Sequence, residues 1–464
     1  MTATPGTSRR LAEWGTSVLD VPDRVREAAV EHLLDGFGTG LAALRLGAAR
    51  PVVEVARGLG GPPEAAILGD EDRVGAPAAA LANGTLVHAL DYDDTHAVGL
   101  VHATAVVLPA AFAVGQQVGA TGRQVLDAAI VGFETVCRIA AAAPYGFHRR
   151  GLHATMVAGV FSSALVAARL TGLTVEATTH ALGIAGSSAG GLLAFLGTGA
   201  STKQLHPGLA SQSGILAARL AAAGATGPET VLDGPNGIYQ ALTVGPVDPR
   251  IVTHDLGSSW ETERIGIKLF PACQLSHATL GALQALAPVP ADEIELVTAD
   301  VHPDAAVVVC DPARDLAHPA SPYAAKFSLP WSAAALLLDG RLGLATYGED
   351  SIARPEVAEL AARVNCDTVA APGAAADAPG RVRLLLRDGR ELVGQIDGAP
   401  AGGRPRLARN SLLAKLSANA DTPVDELAAV LEGLGDQPDV HGVLAVAART
   451  AAAARPLPAG AVGV

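Results

Sequence analysis

Apolar residues recur along this chain at two different periods, and the change between them divides it. Val25, Ala29, Leu33, Leu34 and Phe37 keep the three- and four-residue spacing of one helix face. Val21-Pro22-Asp23 opens that helix with a proline near its first turn. Gly36 and Gly38 are expected to end it or to admit a close neighbour. A short helix is expected over residues 51–58, before the loop GGPPEAAILGDEDRVGAP. From Ala78 the helical pattern runs on through a polar stretch to Gly119. Small-residue helices then alternate with glycine-containing breaks, at 125–142, 154–170, 175–184 and 207–223, the last after a break at TKQLH. Abundant alanine and glycine, with only 3% aromatics, imply close helix contacts through thin side-chain layers. This half reads as all-α.

The period shortens after about Ile265. IELVTADVH (294–302) and AAVVVCD (305–311) read as strands, and RVRLLLRDGRELVGQ (381–395) as a hairpin whose Asp388-Gly389 pair can take positive φ at the turn. Residues 328–339 read as a helix between strands, and 369–380 as a loop. Helices return from about Arg406, with Thr422 as a cap and Pro423 at the first helical position. The final RPLPAGAVGV is expected to be a loose tail. The expected fold is mainly α: a large helical domain from both chain ends, residues 1–266 and 406–464, and a smaller α+β domain at 267–405.

Composition narrows the function more than the fold. A chain of 464 residues exceeds one ordinary core, in keeping with two domains. A formal charge of −13 argues against nonspecific binding to nucleic acid or to an anionic membrane. No apolar run reaches the roughly 20 residues needed to span a bilayer, and the start MTATPGTSRRLAEWG lacks the apolar segment of a secretory signal. Cys137, Cys273, Cys310 and Cys366 lie far apart along the chain without a CxxC pair, which suits reduced thiols rather than a zinc ribbon or an iron–sulfur ligand set. The expected location is the cytoplasm.

Against this background, LDYDDTHAVGLVHATAVVLP (Leu90–Pro109) crowds Asp91, Asp93, Asp94, His96 and His102 into a chain that is only 17% charged. Three further polar islands interrupt apolar surroundings: GLHAT with His153, TKQLHPG with Lys203, and IKLFPAC with Lys268 at the change of texture. Taken singly, His153 reads as a helix cap and each lysine as a surface residue. Together they supply imidazoles, ammonium groups and a carboxylate, the set needed to abstract a proton beside a carboxylate and to neutralise the enolate that forms. GIAGSSAGG (183–191) lacks the ending of a P-loop, and its Gly-x-Ser-x-Gly follows a helix instead of a strand. It reads as a helix break or a close packing contact. The histidines are too scattered to argue for a metal.

The blocks HALDYDDTH…HATAVVLPAAFAVG, GLHATMVAGVFSSALVAARLTGL, ALGIAGSSAGGLLAFLGTGASTKQLHPGLASQSGILAARLA, IKLFPACQLSHA and AAKFSLPWSAAALLLDGRLG resemble, in order, the MmgE/PrpD family. The resemblance implies a helical domain plus a smaller α+β domain, a homodimer, a small anionic carboxylate substrate, and catalysis without metal or organic cofactor. It places active-site groups on Asp91, Thr95, His102, His153, Lys203 and Lys268. It also marks departures: His102-Ala103-Thr104 stands for a His-Pro-Ser, Phe270 for a tyrosine, and Trp331 for a pocket tyrosine. The expected activity is dehydration of a 2-methylcitrate-like hydroxy acid. Decarboxylation of a cis-aconitate-like acid, epimerisation of an imino- or amino-dicarboxylate, and a catalytically silent binding protein are the alternatives. In this reading His102 or His153 moves the proton and Asp91 orients a histidine by hydrogen bond. Lys203 and Lys268 hold carboxylates, Trp331 walls the pocket, and Asp93, Asp94 and His96 serve as loop or helix-capping groups.

Overall fold

Helices built from alanine, glycine and valine can bring their backbones together, and this chain exploits that wherever its functional side chains converge. In a computed structural model describing residues 6–17, 20–70, 72–286, 289–399 and 406–454, the helices Asp23–Leu46, Ala76–His88, Thr104–Val118, Gly122–Ala141, Ala154–Leu170, Val175–Ala185 and Thr202–Ala222 form one helical body. Helices Arg409–Ala420, Asp425–Glu432 and His441–Ala453 complete it, so that Leu412, Leu427 and Val443 share a core with Leu33, Val106 and Phe133. Among the described residues no helix is long and apolar enough to cross a membrane.

A second core surrounds a four-stranded sheet in the order Val364–Thr368, Ile294–Val301, Gly380–Leu386, Glu391–Ile396. Ile294–Val301 runs parallel to Val364–Thr368 and antiparallel to Gly380–Leu386. The expected hairpin forms, with Gly389 at φ 87° in its turn. Helices His277–Gln284 and Leu329–Asp339 contribute Leu280, Leu283, Leu336 and Leu337 to this core, and Ser328 caps the second of them as a hydroxyl acceptor. The fold is thus mainly α with a small sheet region, as expected.

Several local expectations differ from the structure for identifiable reasons. AAVVVCD is not a strand: Pro303–Val309 is a helix, started by Pro303 and by the His302 side chain accepting from Asp304 N–H. A short valine run fits either state, and the cap decides. The helical reading from Ala78 to Gly119 is interrupted between His88 and Thr104, where Asp91 and Leu100 take left-handed φ of 51° and 49°. TKQLH is the first turn of helix Thr202–Ala222, which carries Pro207 inside it. Gly36 and Gly38 do not end their helix; they admit neighbours, an added Cβ lying 2.4 Å from Thr104 and 2.8 Å from Leu416 respectively. The 425–432 helix begins after Thr422-Pro423. The 183–191 segment is a close-packing site, Gly183 facing the backbone of Gly227 and Pro228. The 455–464 tail and the boundary at 405 lie outside the described residues.

One buried hub ties helix Gly122–Ala141 to the segment that leads into the sheet domain. Glu134 accepts from Arg138 Nε at 2.9 Å, from the backbone N–H groups of Glu261 and Thr262, and from the Thr262 hydroxyl. Arg138 in turn donates to the carbonyls of His254 and Ser259. Glu134→Ala would strand a buried guanidinium, so we expect a loss of about 3–5 kcal/mol. Urea unfolding of the variant beside Glu134→Gln, which keeps the side-chain shape and one of the two acceptor oxygens, measures it.

Candidate active site

The polar stretch becomes a loop pinned on three sides between helices Ala76–His88 and Thr104–Val118. Thr95–His96 pairs antiparallel with Ile265–Gly266, which brings Lys268 beside Asp91. His96 Nε2 meets Glu261 at 3.0 Å. From the C-terminal helices, Lys415 donates to Tyr92 O at 2.9 Å and pairs with Asp35. Asp94 accepts from Thr104 N–H and its hydroxyl, and faces His32 Nδ1 at 3.2 Å. Thr104, where the family resemblance expects serine, therefore anchors the start of its helix. Asp94 fills the capping role expected of it.

Asp91 is the centre of the site. Its Oδ1 accepts from Lys268 Nζ at 2.6 Å and lies 3.0 Å from Lys203 Nζ, while Lys268 also donates to the Asp91 carbonyl at 2.9 Å. All three side chains are buried. Burial opposes the charge on Asp91, but the Lys203 and Lys268 ammoniums outweigh it and hold the carboxyl well below its usual range. Burial likewise opposes the charge on Lys268, and Asp91 overrides it, raising that ammonium's pKa. Asp91 Oδ2 makes no hydrogen bond to a described residue.

His102 is oriented from the other side. Its Nδ1 lies 2.9 Å from the Asp94 carbonyl, an acceptor only, so Nδ1 carries the proton and Nε2 presents a lone pair. That lone pair faces Lys203 Nζ at 3.5 Å. Thr95 Oγ1 sits 3.3 Å from Nδ1, and the His102 backbone N–H donates to Thr155 of the GLHAT block. The expected hydrogen bond between Asp91 and a histidine does not form: His102 Nε2 is 3.9 Å from Asp91 Oδ1. The carboxylate is taken by the lysines, and a backbone carbonyl orients the imidazole. Burial, then the charges of Lys203 and Lys268, push His102 well below the ordinary histidine range.

His153 holds the N-cap position of helix Ala154–Leu170 without a side-chain capping bond, its ring centroid 5.8 Å from that of His102, with Nδ1 3.1 Å from His206 Nδ1. His88, which sequence reasoning passed over, ends helix Ala76–His88 and bonds Asp93 through Nδ1 at 2.8 Å. Its ring lies 4.6 Å from that of His102. The signal was present in HALDYDD, which sets a histidine three residues before Asp91 at a helix end. Asp93, a loop residue as expected, therefore also belongs to the cluster. Trp331 does not: it is fully buried, and its ring lies in the sheet-domain core, 5.6 Å from Tyr347. Phe270 is buried edge-on to His277. A cavity of about 40 Å³ is lined by His102, His153 and Lys203 on one side and by Leu193, Phe195, Val308 and Phe327 on the other.

Two overlapping sets, His88–His102–His153 and His88–Asp91–Asp93–His102, bring potential metal ligands within 4.8 Å. A dication there would stand against two ammonium groups already bound to Asp91. The donor set suits proton transfer better than metal binding.

His148, half-buried on the cavity wall, and the buried His206 make a pH prediction. Burial first, then Lys203, lowers His148 to about 3, and burial, His88 and Lys203 lower His206 to about 4. The unfolded chain protonates these groups near 6.5, so between those values it binds more protons than the folded chain. Stability must then fall as pH drops through 6.5 towards 4. Urea midpoints at a series of pH values should decline over that window; a flat profile would contradict these assignments.

A mainly α-helical body carrying a small sheet domain, with ionised side chains buried near their junction, is the build of an enzyme. The chain belongs to the MmgE/PrpD family: residues 9–249 match the MmgE/PrpD N-terminal domain and residues 270–432 the MmgE/PrpD C-terminal domain. It is 29% identical over 453 residues to a cis-aconitate decarboxylase of Aspergillus terreus (strain NIH 2624 / FGSC A1156), covering 91% of each chain. The human cis-aconitate decarboxylase is 27% identical over 453 residues, 92% of this chain and 90% of that one. A cis-aconitate decarboxylase-like protein, oryM, of Aspergillus oryzae (strain ATCC 42149 / RIB 40) is 32% identical over 293 residues, 60% of each. At the level of the family, this is an enzyme of the lyase class.

Proposed function

We propose that the protein decarboxylates a small unsaturated polycarboxylate resembling cis-aconitate, using the Asp91–Lys203–Lys268–His102 constellation. The names of its relatives move this reaction ahead of the dehydration expected from sequence. The observation that carries the reading is the pair of buried ammoniums fixed on one carboxylate oxygen beside an imidazole lone pair. An ammonium has three N–H donors. Lys268 uses two on Asp91, and Lys203, ion-paired with Asp91, directs one to His102. Each keeps one for a substrate carboxylate.

Breaking the bond to the departing carboxylate releases CO2 and leaves its electron pair on the alkene framework, spread into a remaining carboxylate. The two ammoniums balance that charge where it develops. One proton must then reach carbon. With His102 held neutral, the proton between Lys203 and His102 rests on the ammonium, from which it passes to substrate directly or through Nε2. The enzyme would act as a homodimer, which light scattering tests.

Incubation with cis-aconitate in deuterated water should release CO2 and give a product with one carbon-bound deuterium. Release of water from 2-methylcitrate without CO2 from cis-aconitate would replace decarboxylation with dehydration. Neither reaction, and no shift in melting temperature with either acid, would sink the proposal for this substrate class.

A further inference from the structure

Two of the four cysteines, far apart along the chain, meet sulfur to sulfur in the sheet domain. Cys310 follows helix Pro303–Val309 as its C-cap, and Cys366 lies in the edge strand Val364–Thr368. Although 56 positions separate them, their sulfurs are 2.8 Å apart, with the Cys310 thiol donating to Cys366 Sγ. That separation approaches the roughly 2.05 Å of a covalent disulfide. Cys137 and Cys273 are buried, and burial raises both thiols; Cys310 and Cys366 are only partly buried and open to a small oxidant.

We propose that Cys310 and Cys366 are a modification site, a dithiol that a hydroperoxide converts into an intramolecular disulfide. Cys366 is the sulfur to react first, because the Cys310 hydrogen bond leaves the proton on Cys310 and the lone pairs on its neighbour. Cys366, as the thiolate, attacks a peroxide oxygen; the O–O bond breaks, giving a sulfenic acid and, with the proton, one water. Cys310 sulfur then displaces that oxygen as a second water, and the S–S bond forms. Two thiols and one hydrogen peroxide become one disulfide and two waters, the sulfurs oxidised and the peroxide reduced. The bridge would fasten helix Pro303–Val309 to the sheet edge. That helix carries Val308, which lines the catalytic cavity, and Asp304, paired with Arg149 of the helical body at 2.9 Å.

The test oxidises the folded full-length protein with hydrogen peroxide, then uses an iodoacetamide quench in denaturant and mass spectrometry without reductant. Alkylatable thiols should fall from four to two, and the protein measured before alkylation should lose about 2 Da for the two hydrogens removed. A Cys310–Cys366 linked peptide should appear, and dithiothreitol should reverse all three changes. Cys366→Ser and Cys310→Ser should each abolish the mass loss, whereas Cys137→Ser should not. Full alkylation of Cys310 and Cys366 after peroxide, or oxygen added to either sulfur without a link between them, would overturn the proposal.

Discussion

Asp91→Asn should reduce kcat by about a thousandfold or more, an effect comparable to removing a principal electrostatic group from an active site, and should also destabilise the fold. Both follow from one arrangement: a single carboxylate oxygen compensates two buried ammoniums. The amide keeps the shape and one acceptor but not the charge. Lys203 and Lys268 then face each other uncompensated, and breaking a buried pair in this way costs about 3–5 kcal/mol. One lysine must lose its proton to relieve the repulsion. Its folded pKa drops below its unfolded value near 10.4, so the unfolded chain binds more protons and stability rises with pH across that interval. The parent protein lacks this slope from Lys268, whose pKa Asp91 raises. Chemical denaturation of the variant between pH 7 and 9.5 should therefore show recovery. Adding Lys268→Met should restore much of the lost stability without restoring turnover. A single variant that unfolds like the parent, with no such slope, would mean that Asp91 is not the counter-charge.

What the sequence disclosed was chemical inventory; what it withheld was pairing. Asp91, His102, Lys203 and Lys268 were legible because charge is rare in this chain and each stands out from apolar surroundings. The two-part architecture was legible because the hydrophobic period changes near Ile265. His88 was missed because it ends an otherwise apolar helix, where a histidine reads as a terminal residue. The Asp91–histidine bond was misjudged because nothing local shows that a backbone carbonyl, Asp94 O, already occupies His102 Nδ1. Trp331 was assigned to the pocket from its place in a family block, yet helix Leu329–Asp339 turns it into the sheet-domain core. The Cys310–Cys366 contact was invisible because it depends on Pro303–Val309 being a helix instead of a strand.

That dependence of chemistry on packing gives the second large effect, at a residue with no functional group. Gly208, in helix Thr202–Ala222, lies against helix Ala76–His88: a Cβ there would stand 2.2 Å from Leu81 O and 2.6 Å from Thr85 Oγ1. The contact is reciprocal, since a Cβ on Gly84 would meet the Gly208 backbone at 2.8 Å. Backbone cannot swing aside as a side chain can, and Leu81 O is held further by the Thr85 hydroxyl. Gly208→Ala must therefore push the two helices apart, at about 1–3 kcal/mol for overpacking. The functional cost should exceed the structural one. Lys203 begins one of these helices and His88 ends the other, so their separation sets the site. A displacement of about 1 Å can cost on the order of a hundredfold in rate. Gly58→Ala is the control, a helical glycine with open space around it, where alanine should add up to about 1 kcal/mol of stability. If Gly208→Ala keeps full kcat while losing stability, the close approach of the two helices supports the fold alone. If kcat falls by more than the melting temperature explains, the glycine pair is what holds the lysine and histidine in register.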